Sequence, residues 1–321
     1  MVNGEDKAVL VVGSYAQDLV WNSKTFPAPG ETLVGKFRTG PGGKGSNQAV
    51  AAARVSNGTK VMFCGCVGDD LFGTGARDFQ AKQGIDVRVK VHPTIPTGTA
   101  GILVNDEGQN SIVVALGSNL ELKSEDVSDD MLQSAGIIVM QHEIDPAVNE
   151  AVLSRARALG VTTVLNPAPM APISETTLAS VDILAPNETE FATMLQQRGI
   201  EVNVDLSKDP IEQVTTAIAE ASAALPVRTV VVTLGSRGVC VYDKEAMDTP
   251  IFIPAFHVHC VDSTGAGDAF IGGFATKFVE NGGDVVDAAK FGNATAALSV
   301  TKEGTAPAMP TRGEVEDMLQ D

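Results

Sequence analysis

Apolar runs of strand length recur along the 321-residue chain, at residues 9–12, 61–67, 137–140, 161–165, 181–184 and 229–233. Helix-length segments rich in Ala and Leu lie between most of them, at 47–54, 149–159, 211–224 and 269–279. An unbroken apolar run marks a strand buried on both faces, and a helix between two such strands is the crossover that makes them parallel. The rhythm predicts an α/β fold, a doubly wound and mostly parallel sheet with helices on both faces. Two stretches break it. At 31–40 and 97–116 apolar and polar residues alternate, and Asn105-Asp106-Glu107-Gly108 has the composition of a hairpin turn. These predict a small discontinuous antiparallel β lid from residues 19–43 and 97–118, with the main domain formed by 1–18, 44–96 and 119–321.

Charge removes whole classes of partner. The formal net charge of -17 repels nucleic acid and anionic membranes, and no run of Lys or Arg overrides it. The segment from Met1 to Lys7 is acidic where a signal peptide is basic, and the apolar stretch at 8–12 is too short to span a membrane. A cytoplasmic protein is expected. Cys64, Cys66, Cys240 and Cys260 have neither a CxxC spacing nor paired histidines, so they are read as small buried residues in strands rather than as zinc ligands or disulfides.

Four polar segments carry chemistry. In Asp262-Ser263-Thr264-Gly265-Ala266-Gly267-Asp268 two glycines permit a sharp turn into a helix, whose first amides form an anion site. A carboxylate in that turn can take a proton from a hydroxyl while the amides stabilise a transferring phosphoryl group; equally, Asp268 can be a helix cap. The cluster Gly40-Pro41-Gly42-Gly43-Lys44-Gly45-Ser46-Asn47-Gln48 is not a Walker loop, because Arg38 stands where its first Gly belongs and Gly45 follows the Lys. A dinucleotide fingerprint fails too, since the preceding segment reads as antiparallel and no acidic residue ends the next strand. What remains is a close-approach loop with Lys44, Asn47 and Gln48 as donors for a polyhydroxylated ligand, or a tight helix-packing turn. The loop Thr233-Leu234-Gly235-Ser236-Arg237-Gly238 follows a strand, where open α/β sheets place nucleotide phosphates. Asn187-Glu188-Thr189-Glu190 opens a helix and offers carboxylates for water-mediated Mg²⁺, although alone it reads as a capping sequence.

Together with Asn166-Pro167-Ala168-Pro169, these segments resemble, in order and over nearly the whole chain, the ribokinase family of carbohydrate kinases, also called the PfkB group. The resemblance implies an ATP-dependent sugar kinase in which Asp268 is the base acting on a furanose hydroxyl, with the amides of Ala266, Gly267 and Asp268 forming the anion hole and Gly265 in the same catalytic turn. It implies sugar contacts from Asp18, Gly43, Lys44, Asn47 and Glu143. Asn187, Thr233, Gly235, Ser236, Gly238 and Asn293 are implied for ATP, and Glu190 for Mg²⁺. A monovalent cation, K⁺, is implied at Asp262, Thr264, Ser299, Lys302, Gly304 and Ala308, the last standing where relatives often carry a hydroxyl. Ala16 stands where many relatives have Asn, and relatives with an apolar residue there accept 2-deoxyribose. The expected product is D-ribose 5-phosphate, with 2-deoxyribose or nucleoside phosphorylation as the alternative and a non-catalytic sensor as the reading of another class. The resemblance also implies a homodimer formed through the lid, which would protect an exposed sheet edge.

Overall fold

Val9 and Val11 pack into one hydrophobic cluster, and Leu10 and Val12 into another on the opposite side of the sheet. That is why the strand needs no polar alternation: both its faces are covered. The computed structural model describes residues 7–320, so the acidic N-terminal stretch lies outside them except for Lys7. In chain order the elements are Ala8–Val12 (β1), Ala16–Asn22 (β2), Lys36–Gly42 (β3), Lys44–Val55 (α1), Val61–Gly68 (β4), Leu71–Lys82 (α2), Asp86–His92 (β5), Thr99–Val104 (β6) and Asn110–Ala115 (β7). There follow Asp129–Ser134 (α3), Ala135–Met140 (β8), Pro146–Ala158 (α4), Thr162–Leu165 (β9), Glu175–Ala179 (α5), Ile183–Leu184 (β10), Glu188–Gln197 (α6) and Ile211–Ala223 (α7). The chain ends with Thr229–Thr233 (β11), Gly238–Asp243 (β12), Ile251–Pro254 (β13), Ala266–Glu280 (α8), Val285–Ser299 (α9) and Arg312–Gln320 (α10).

The main sheet has nine strands in the order β13-β12-β11-β10-β9-β8-β1-β4-β5. It is parallel from β11 to β5 and antiparallel where β12 and β13 finish one edge. Helices α4, α6 and α7 cover one face and α1, α8 and α9 the other. The mostly parallel α/β layer expected from the sequence is therefore present. From β1 the chain goes to β4 on one side and later returns to β8 on the other. Strand order reverses there, and the carboxyl ends of β1 and β8 flank a crevice of the kind that holds ligands in open α/β sheets.

A second sheet, ordered β3-β2-β6-β7, stands outside the first. β3 and β7 pair antiparallel with their neighbours, while β2 and β6 at the centre are parallel. β2 was not legible in the sequence, because residues 16–22 show no clean alternation; the expected division between residues 18 and 19 falls inside it. The β6–β7 turn is organised by Asn105, whose Oδ1 accepts from the amides of Glu107 and Gln109. Of the cysteines, Cys64, Cys66 and Cys240 are buried in strands as expected. Cys260 departs from that reading: it is exposed, in the irregular segment before α8. Among the described residues no helix is long and apolar enough to cross a membrane.

Candidate active site

The polar segments singled out in the sequence gather at the carboxyl ends of the parallel strands. Ser14 follows β1 and Asp18 lies early in β2, Gln141 and Glu143 follow β8, Asn166 follows β9, Asn187 follows β10, and the 234–238 loop follows β11. Opposite them lie the amino ends of α1 and α8. Those two helices cross closely because Gly272 of α8 faces α1, where a Cβ would come within 2.5 Å of the Ala51 methyl and the Gln48 carbonyl. The crossing carries the first turn of α1 against the first turn of α8. As a result Asn47 Nδ2 donates to Asp268 Oδ2 at 3.0 Å, and Gln48 Nε2 donates to Asp268 Oδ1 at 2.9 Å.

Asp268 is buried, and both its oxygens are held by these neutral donors. Burial pushes its pKa up, and the Glu143 charge adds to the rise; the Lys44 ammonium and the two amides oppose it without cancelling it. Gln48 is fully buried and spent on this contact, which overturns its reading as a donor for a ligand. Asn47 differs. Its Oδ1 is buried with no protein partner, an acceptor left over for a hydroxyl. Gly43, at φ 86, caps α1, and a Cβ there would meet the Ala16 amide nitrogen at 2.6 Å. The glycine cluster thus serves helix packing at Gly43, while Asn47 keeps an acceptor free for a ligand.

Two connected spaces and a third beneath the lid surround this centre. A cavity of about 160 Å³ has Asp268 in its wall together with Lys44, Asn187, Glu190, Thr233, Gly265, Ala266 and Gly267. Gly265 sits in the left-handed region at φ 81, turning the chain into α8. The Ala266 amide donates to Ser263 O at 3.2 Å, while those of Gly267 and Asp268 have no acceptor among the described residues. Burial opposes the charge of Lys44, but Asp268, Glu143 and Glu190 outweigh it and hold its pKa above the ordinary value. Lys44 remains a cation facing the carboxylates. Glu190 closes a capping box with Asn187: each side chain accepts the other's backbone amide, at 2.9 and 2.8 Å. Burial raises its pKa.

The adjoining cavity, about 470 Å³, is walled by Asn187, Thr233, Gly235, Ser236, Gly238 and Asn293 together with Phe256, Phe270, Ala297 and Val300. Asn293 Nδ2 donates to Pro254 O at 2.8 Å, tying α9 to the end of β13. The third space, about 580 Å³, lies between the lid and the segments before α8 and after α9, and Asp18, Arg38, Thr39, Asp262, Thr264 and Gly304 line it. Burial, and then the Glu143 charge, push the Asp18 carboxyl up to about 6. Glu143 joins the two sides of the crevice: its Oε2 accepts from Ser14 Oγ at 2.5 Å and from the Lys44 amide at 2.9 Å.

The residues expected around a monovalent cation are only partly gathered. Asp262 accepts from the Thr264 and Gly304 amides at 2.9 and 3.0 Å, so it ties the turn before α8 to the loop after α9. Ser299 Oγ donates to Ala296 O, Lys302 pairs with Glu314, and Ala308 is buried. The side chains of Ser299 and Lys302 are therefore committed elsewhere, and Ala308 has none to offer.

A Gly-rich turn bearing a buried carboxylate at a helix amino end, open to an elongated two-part cavity, is an arrangement for phosphoryl transfer to a hydroxyl. The family model described as pfkB family carbohydrate kinase matches residues 6–312. The chain belongs to that family. Among relatives of this pfkB-family chain, ribokinase of Haemophilus influenzae is 37% identical over 318 residues, covering 98% of this chain and 99% of that one. Deoxyribokinase of Salmonella typhi is 33% identical over 316 residues, covering 97% and 98%. A solved structure of Arabidopsis thaliana ribokinase complexed with ribose and ATP superposes with a TM-score of 0.86 at 32% identity, over 98% of this chain and 99% of that one. Sequence reasoning within this pfkB-family chain assigned no separate role to Ser14, to Ser263 or to the wall formed by Phe256 and Val300. The first two are single hydroxyls inside turns, and the wall is assembled from a loop and a helix end with no shared periodicity.

Proposed function

We propose that this chain is a ribokinase, transferring the γ-phosphoryl group of ATP to O5 of D-ribose to give D-ribose 5-phosphate and ADP. The observation that carries the reading is Asp268, a buried carboxylate in the first turn of α8, facing a cavity that Lys44 and the free amides of Gly267 and Asp268 also line. In this mechanism the Asp268 carboxylate takes the proton of the 5-hydroxyl as the O5–P bond forms and the bond from Pγ to the ADP oxygen breaks. Its raised pKa favours proton acceptance. The amides of Gly267 and Asp268 and the Lys44 ammonium neutralise charge on the transferring group. The larger cavity, with Phe270 and Val300 in its walls and Asn293, Ser236 and Thr233 at its polar side, fits the nucleoside and its phosphates.

Glu190 suits a water-mediated role toward Mg²⁺, since one of its oxygens is committed to the Asn187 amide and its carboxylate lines the transfer cavity. Mg²⁺ would supply charge neutralisation between the phosphates. For K⁺, the Asp262 carboxylate and nearby backbone carbonyls supply the hard oxygen donors such an ion takes, and Asp262 holds both loops in place through hydrogen bonds. Replacing K⁺ by Na⁺ in an assay of ADP release should lower the rate; an unchanged rate removes the cation from this reading.

Asp18 and the free Oδ1 of Asn47 are the acceptors proposed for sugar hydroxyls. With its carboxyl titrating at about 6, Asp18 should bind sugar best as an anion, so KM for ribose should rise as pH falls below about 6. Asp18→Asn should flatten that dependence. The sign for stability is opposite. A folded pKa above the unfolded one means that stability is lost as pH rises from about 4 to 6, so Asp18→Asn should raise the melting temperature of the free protein above pH 6. A pH-independent KM in the native chain sinks the assignment.

A second substrate has one observation in its favour: Ala16, buried at the start of β2, offers no amide to a sugar hydroxyl. ADP release across ribose, 2-deoxyribose and nucleosides decides between them, and preference for a nucleoside overturns the ribokinase reading. The lid's outer face bears Trp21, Phe37 and Val113, all exposed, while Ile112 and Val114 point to the inner face, and β7 is an open edge. A second copy of the chain, lid against lid, would cover both. The ATP requirement and the free thiols fit a cytoplasmic setting.

A further inference from the structure

Against Asp268 lies a run of buried amides that the mechanism above does not use, of which Asn166 also borders the cavity of about 160 Å³. Gln48 Nε2 donates both to Asp268 Oδ1 and to Asn166 Oδ1, at 2.9 and 3.2 Å, and Gln48 Oε1 accepts from Gln141 Nε2 at 2.7 Å. Gln141 is held in turn by Asn149, whose Nδ2 donates to its backbone carbonyl at 2.7 Å. Gln48 and Gln141 are fully buried, and Gln141 Oε1 sits against Gly13, where a Cβ would come within 2.0 Å of it. Neither glutamine lines the three cavities.

The contacts fix which way Gln48 points: Asn166, whose Nδ2 donates to Ala185 O at 2.8 Å, offers it an oxygen, as does Asp268, whereas Gln141 Oε1 is buried with no partner. If Gln48 turned over, its Oε1 would face the oxygens of Asp268 and Asn166 while its NH₂ faced the NH₂ of Gln141. All three contacts would be repulsive, and turning Gln141 as well would still leave those with Asp268 and Asn166 repulsive. Asn47 on the other carboxylate oxygen has no such constraint, because its Oδ1 has no partner. Only the Gln48 side is locked.

We propose that Gln141 is a positioning residue: through Gln48 it locks a donor onto Asp268 Oδ1, so that the base keeps one orientation and directs its other oxygen to the substrate hydroxyl. This rests on the reading of Asp268 as the base. The relay also opposes the effect of burial on the carboxyl, because a donor to the charged form favours it. Lys44 on α1, Glu143 after β8, Glu190 on α6 and Asp18 on β2 are the charged groups around Asp268, and the side-chain hydrogen bonds of Gln141 among the described residues go to none of them.

Gln141→Met keeps the length of the side chain and removes the amide. We expect kcat to fall about tenfold, with KM for ribose and ATP changing less than about twofold. The acidic limb of kcat against pH should move to higher pH, and the Asp268 carboxyl carbon, followed by ¹³C NMR and assigned by its loss in Asp268→Asn, should titrate about half a unit or more higher. A folded variant with native kcat and native Asp268 titration overturns the relay. So does one whose loss is confined to thermal stability or KM. Should Gln141→Met not fold, Gln141→Asn, which withdraws the donor by one methylene, carries the same expectation. The NMR titration also separates two kinds of failure: if the native chain turns over no pentose, the proposed function fails while the relay is still judged on the Asp268 carboxyl.

Discussion

Asp268→Asn should lower kcat at least about a hundredfold, the size expected when a general base is removed. The structure says why the loss should be chemical and not a collapse of the site. An asparagine at 268 offers one oxygen and one NH₂ where the carboxylate offers two oxygens. Gln48 is locked as a donor, so the new oxygen must face it and the new NH₂ must face Asn47. Asn47 can turn over to present its unpartnered Oδ1, which restores a hydrogen bond. Because that turn changes what Asn47 shows to the sugar, affinity for ribose should shift, by less than about tenfold for one neutral hydrogen bond. Turnover near the native rate would remove Asp268 from the role of base. Steady-state kinetics with calorimetric ribose binding separates the two quantities.

The second large effect is expected from Gly43→Ala. At φ 86 the backbone is in the region that L side chains avoid, and the added methyl would press on the Ala16 amide at 2.6 Å and the Tyr15 backbone at 2.8 Å. Strain and clash together should cost roughly 2–3 kcal/mol of stability. The cost should also reach the chemistry, because Gly43 caps the helix that carries Lys44, Asn47 and Gln48. Gly40→Ala is the control within the same cluster, since a Cβ there meets nothing within 4 Å and its φ is ordinary. Urea unfolding should show a clear fall in midpoint for the first variant and none for the second. Equal effects would mean that the close approach of α1 to β2 is not what the glycine serves.

That contrast shows how far the glycine cluster could be read without coordinates. Gly40, Gly42 and Gly43 look alike in the sequence, and so do Asn47 and Gln48, adjacent amides at the start of one helix. Their difference arises across long separations in the chain. Asn47 and Gln48 meet Asp268 more than two hundred residues away, and Gln48 is completed by Gln141 and Asn166. Lys44, expected beside the sugar, lines the space shared with Asp268, Asn187, Glu190 and the first turn of α8. Nothing local to residues 44–48 distinguishes these fates. The same holds for β2, whose strand character comes from neighbours on both sides in the lid and not from its own pattern.

The sequence by itself determined the α/β layer, the hairpin of the lid, the turn at 262–268 and the family, because hydrophobic period, turn chemistry and ordered motifs are properties of short stretches of chain. Only the tertiary structure decided which members of those motifs face a ligand and which face one another. Hydrogen-bond satisfaction in a buried site is settled by what packing brings within about 3 Å, and here that is the close crossing of α1 and α8 at Gly272. Asp268 could be picked out from its own turn, but the amides that orient it could not.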